Sequence, residues 1–127
     1  PYVVASGPEA ATIGLTEAQA REQIGEAIHC YRKKFQPLFN LIGESSQEAM
    51  LKLVVDSSTD RILGAHMVGE YAAEVIQMFA PAMKAGVTKQ HFDTAIGIHP
   101  SISEEFFTLR WPWASLLTLA EVLAAIP

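Results

Sequence analysis

The chain has 127 residues, 50% of them hydrophobic and only 18% charged, with fourteen acidic against nine basic side chains and a net charge of −5. An acidic domain has no basic face with which to displace phosphate counterions, which argues against nucleic acid as a partner. One cysteine, Cys30, excludes a disulfide framework and intramolecular dithiol chemistry, and fits a reducing, cytoplasmic compartment.

Length sets the next bound. Folding would leave ~6,600 Å² of surface against ~20,000 Å² unfolded, enough burial for one domain with a core that needs no staples. Charge below the roughly 25% usual for a soluble domain predicts an apolar patch that a partner covers. No apolar run reaches the roughly 18 residues of a membrane helix, so no membrane partner is expected. Pro1 to Ser6 has no basic n-region and does not read as a signal peptide.

In chain order, Tyr2 to Ser6 is β-prone and ends at the turn pair Gly7-Pro8. Thr12 to Leu15 leads to a helix capped by Thr16, with Gln19 completing a capping box, Glu17 in the first turn and Gly25 stopping it. Ala27 to Phe35 reads as a strand whose basic end, Arg32-Lys33-Lys34, is expected to be solvated. Pro37 interrupts, and Phe39 to Ile42 leads into a polar loop. Met50 to Val55 and Ile62 to Val68 form a hairpin across a polar loop of about six residues, with Lys52 expected on an exposed face.

From Glu70 to Ala85 the period changes to 3.6. Ala72, Val75, Ile76, Phe79, Ala80 and Met83 make one stripe of an amphipathic helix, ended by Gly86 and interrupted by Pro81. Shorter helices are predicted near Thr88 and Ser101. Strands, a helix, strands and then gathered helices indicate α+β: an antiparallel β-sheet with helices packed on one face.

The stretch 95–107 carries the chemistry. Pro100 holds His99 extended, at the approach to the helix that Ser101 opens. Glu104 lies close enough in the chain to reach one ring nitrogen, an arrangement that fixes the tautomer and raises the basicity of the other. Ser101-x-x-Glu104 is also a capping box, and spacing alone favours that structural role.

Resemblance shifts the balance. Gly97-Ile98-His99-Pro100-Ser101 through Glu104-Glu105-Phe106-Phe107-Thr108-Leu109-Arg110 resembles the C-terminal signature of the pyridine nucleotide–disulfide oxidoreductases, in the pattern of the glutathione reductases. Thr12 to Glu17, Met50 to Val55, and Ile62 to Gly69 through Gly86 to Asp93 resemble the same family in the same order. The likeness covers residues 1–110, the family's dimerisation (interface) domain.

It implies that His99 is the catalytic acid–base toward glutathione disulfide, near the flavin, and that Glu104 orients it. Ser101, Glu105 and Leu38 then contact glutathione. The histidine serves the partner subunit of a homodimer, and FAD and NADP (as NADPH) are the whole enzyme's cofactors. This chain has no Gly-x-Gly-x-x-Gly and no redox cysteine pair, so alone it is expected to bind neither cofactor and to be inactive. Met78 stands where the family usually has glycine. Residues 111–127 continue past the family's end, with an apolar spacing that suggests a short helix.

The remaining candidates are bland. His29 and Cys30 point to opposite faces of a strand, and with His66 and His91 show no zinc-ligand spacing, so no metal site is expected. Cys30 reads as an inert, half-buried thiol. A rival reading is a stand-alone interaction or small-thiol-binding module that kept the fold without redox activity.

Overall fold

Alternation of buried and solvent-facing side chains sets the sheet. In the computed structural model, which describes residues 1–43 and 45–112, the strands β1 (Tyr2–Val4), β2 (Ala10–Gly14), β3 (Ile28–Phe35), β4 (Ala49–Asp56) and β5 (Ile62–Val68) form one antiparallel sheet in the order β1-β2-β5-β4-β3. Tyr31 lies opposite Leu53, and Leu53 opposite Ala65.

Because the side-chain period is two, the sheet has two unlike faces. One carries Tyr31, Leu51, Leu53, Val55, Ala65 and Met67, sealed by Ala72, Ile76 and Phe79 of helix α3 (Ala72–Lys84) and by Phe106 and Leu109. The other carries Ile28, Cys30 and Val54 against Ala20 of helix α1 (Glu17–Ile24). The α+β architecture holds, with α3, helix α4 (Lys89–Thr94) and the 3-10 turn Ser103–Phe106 on one face. The α1 helix adds a small layer on the opposite face.

Local signals placed most elements. Thr16 and Gln19 make both capping-box bonds, Thr88 caps α4, and Gly86 follows α3 with a φ of +78°. Pro81 sits inside α3 on its exposed side, and the helix runs through it to Lys84.

Four expectations need correction. Thr12 to Leu15 is not a mere approach to α1: Ala10–Gly14 is a strand between β1 and β5, its pattern too short and small-residued to stand out without that partner. Phe39 to Ile42 belongs to a short helix, α2 (Leu38–Ile42), whose Asn40 is buried and donates to the Gln47 carbonyl at 3.0 Å. Cys30 is buried rather than half-buried, and burial pushes its thiol pKa up. Lys52 is covered by α1, where its Nζ donates to Glu17 Oε2 at 2.8 Å. The suggested helix in the tail falls mostly on residues 113–127, outside the described residues.

Glu17 thereby ties α1 to the sheet. Chiefly the Lys52 hydrogen bond, opposed by burial and aided by Arg32 and Arg21, pulls its carboxyl from 4.5 to about 2. A depressed pKa means stabilisation that is complete above about 4.5 and lost as pH falls through about 2. Glu17→Gln is therefore expected to cost about 1–2 kcal/mol at neutral pH after allowance for solvent screening. In urea denaturation the cost should shrink toward zero as the pH approaches 2; a constant cost across pH contradicts the assignment.

Candidate active site

The site begins with aromatic side chains that hold a loop by both ends. Phe92 of α4 stacks on Phe79 at 5.3 Å, and Phe106 packs against the same Phe79 ring at 4.9 Å. Phe92 also meets Phe107 at 5.2 Å. Arg110 Nη1 donates to the Asp93 carbonyl at 3.0 Å, joining the two flanks again. Between these anchors residues 95–100 run over the surface, with Ile96 and Ile98 exposed.

His99 stands on this loop, joined to Pro100 by a cis peptide bond. Its Nδ1–H donates to Glu104 Oε1 at 2.9 Å, and the second carboxylate oxygen lies at 3.1 Å. The capping box forms as well: Glu104 N–H donates to Ser101 Oγ at 3.1 Å, and Ser101 N–H to Glu104 Oε1 at 3.3 Å. The two readings of Ser101-x-x-Glu104 are therefore compatible. One carboxylate caps the turn and holds the imidazole. A side chain at Gly97 would bring its Cβ to 3.0 Å from the Glu104 Cβ, so glycine there leaves the carboxylate its room.

The pair is asymmetric in exposure. The His99 side chain is 72% exposed and that of Glu104 22%. The His99 hydrogen bond, seconded by the Ser101 amide, holds the Glu104 carboxyl below its ordinary value. Imidazole Nε2 has no hydrogen-bond partner among the described residues, which leaves it open to solvent or to a ligand.

A groove of about 750 Å³ runs from His99 to α2, lined by Phe35, Leu38, Tyr71, Ser101 and Glu105 among others. All five residues singled out from the sequence, His99, Glu104, Ser101, Glu105 and Leu38, therefore meet at one place. Leu38 is 45% exposed on the groove's apolar side, beside Phe39, Leu41 and Ile42.

Three features were missed. Arg32 and Lys34 are exposed and Lys33 partly so, as expected of a strand end, but each also pairs with an acid: Glu17, Glu105 and Glu48. Tyr71, with φ of +62° at the start of α3, lines the groove, as does Phe35. No spacing could have found the Lys33–Glu105 contact, since 72 residues separate its members.

Two of the chain's glycines serve close backbone approach. A Cβ at Gly64 would fall 2.0 Å from the Leu15 carbonyl oxygen, and one at Gly14 2.1 Å from that of Leu63. Both glycines let strands and turns approach each other. Among the described residues no three His, Cys, Asp or Glu side chains cluster to hold a metal ion.

A five-stranded antiparallel sheet with α3, α4 and the 3-10 turn on one face and α1 on the other, and a carboxylate-held imidazole presented at an open groove, define the class of domain as α+β. The chain belongs to the pyridine nucleotide-disulphide oxidoreductase dimerisation domain family, whose model matches residues 1–110. It is 53% identical over 108 residues to a glutathione reductase of Nostoc sp., covering 84% of this chain and 24% of that protein. It is 46% identical over 110 residues to one of Burkholderia cepacia, covering 87% and 24%. With the chloroplastic/mitochondrial glutathione reductase of Pisum sativum it shares 44% over 112 residues, 88% of this chain and 20% of that one. The chain thus spans about a fifth to a quarter of the length of these relatives.

The geometry makes a direct prediction. In a carboxyl-carbon NMR titration, Glu104 should ionise below 4.5. His99→Ala, which removes the main stabiliser of the carboxylate, should move that midpoint upward. An unchanged midpoint in the variant contradicts the His99–Glu104 bond.

Proposed function

We propose that this chain supplies the acid–base pair of a glutathione-disulfide reductase, with His99 as proton donor and Glu104 as the residue that orients it. The observation that carries this reading is the exposed imidazole, bonded through Nδ1 to Glu104 and open at Nε2. Glutathione disulfide lies in the groove against Leu38, Ser101 and Glu105. A thiolate from the rest of the enzyme attacks one sulfur, the substrate's S–S bond breaks, and the departing thiolate takes a proton from Nε2 of the imidazolium. The ring is left neutral with its proton on Nδ1, the tautomer that the Glu104 carboxylate holds.

The domain acts within a homodimer and completes its partner subunit's site. FAD and NADP are carried by parts of the enzyme outside this chain, which is silent by itself. The lone free cysteine suits a cytoplasmic setting.

Reassembly tests this. The chain is combined with the FAD- and NADPH-binding parts of a glutathione reductase stripped of its own dimerisation domain. NADPH-dependent reduction of glutathione disulfide should return, and His99→Ala should lower kcat by about 10²–10⁴-fold. No rescue by the unaltered chain, or full activity in His99→Ala, overturns the proposal in favour of a stand-alone interaction module.

A further inference from the structure

Lys33 lies outside the acid–base pair but is bound to the residue beside it. On β3 it shares the face of Tyr31 and Phe35, since side chains alternate along the strand. Its ammonium stands 6.0 Å from the centre of the ring of Phe35, which lines the groove. From there Nζ donates to Glu105 Oε2 and, at 3.1 Å, to Thr108 Oγ1. The Thr108 hydroxyl in turn lies 2.8 Å from the same Glu105 oxygen. Three side chains from the strand and the turn thus close a ring on one carboxylate oxygen, while Oε1 makes no hydrogen bond with the described residues.

An isolated surface ion pair is worth little, because two long side chains lose entropy in holding one geometry. This one differs in two respects. It is a closed network rather than a pair, and the Glu105 side chain is only 22% exposed, so water screens it incompletely. Its location also matters. Glu104 and Glu105 put two adjacent carboxylates on the groove wall, and Glu70 lines the same groove. Without a cation such a wall repels a ligand that itself carries several carboxylates, as glutathione disulfide does. Among the charged groups around Glu104, His99 acts most strongly and Lys33 adds a weaker attraction of the same sign.

We propose that Lys33, with Thr108, is a positioning and specificity residue that clamps Glu105 by one oxygen and offsets the acidic wall of the groove. This rests on the glutathione-disulfide reading for its ligand, whereas the clamp itself belongs to the chain alone. Lys33 does not touch the reacting sulfur atoms and acts through Glu105. Its loss therefore weakens binding and leaves proton transfer unchanged.

Two measurements test it. In the reassembled reductase, Lys33→Met should raise KM for glutathione disulfide by about 3–10-fold, with kcat within about two-fold of the parent. Lys33→Glu should raise KM further and Lys33→Arg should restore it, because charge and reach decide the effect. In the full 127-residue chain at one fixed pH, the Glu105 carboxyl-carbon resonance should move in Lys33→Met and in the milder variant Thr108→Val. It should stay near the parent position in Lys33→Arg. A Glu105 resonance unmoved by Lys33→Met and Thr108→Val overturns the clamp, whether or not the reductase reassembles. A moved resonance with KM unchanged, or with kcat falling as much as kcat/KM, overturns the specificity role. Inactivity of the parent assembly refutes the glutathione-disulfide reading instead and leaves the resonance to decide the clamp.

Discussion

The site depends on where one phenyl ring goes. Phe106 is 1% exposed and packs on Phe79 of α3. Burying such a side chain contributes about 1.5–3 kcal/mol, enough to hold the turn Ser103–Phe106 against the sheet. With Phe106 turned inward, the preceding residues face the other way. Glu104 reaches back to His99 and Ser101, and Glu105 meets Lys33. The hydrophobic core therefore orients two carboxylates that never enter it.

Rigid and open parts of the molecule are divided accordingly. The central strands β4 and β5 bury Leu51, Leu53, Val55, Ala65 and Met67, while the segment with His99 stays at the surface between aromatic anchors. The low charge content also finds its place. Apolar side chains left in water include Leu38, Phe39, Leu41 and Ile42 on α2, Ile96 and Ile98 on the loop, and Tyr2, Val3 and Val4 on β1. The α2 set lies along the groove that His99 also lines.

Much of this was legible in the residues, for identifiable reasons. The Thr16–Gln19 and Thr88 caps, the 72–83 stripe and the hairpin are written locally, in a few neighbouring side chains. The His99–Glu104 bond was legible too, because five residues and one proline confine its geometry. What escaped was non-local or too short. Ala10–Gly14 becomes a strand only beside β5, and five residues of α2 carry no measurable period. Lys52 looked exposed until Glu17 of α1 lay over it, and the paired state of Arg32, Lys33 and Lys34 depends on acids placed by the tertiary fold.

The proposed chemistry turns on one imidazole. Its orientation matters more than its presence, because a ring held through Nδ1 offers Nε2 outward, whereas a ring held through Nε2 offers only Nδ1, the nitrogen nearer its own backbone. The most direct measurement is the tautomer of neutral His99, read from its two ring-nitrogen shifts and their couplings to the ring protons in the 15N-labelled chain. The account predicts a single form with the proton on Nδ1 and a bare Nε2. A ring protonated on Nε2, or one averaging freely between tautomers in the folded protein, contradicts it.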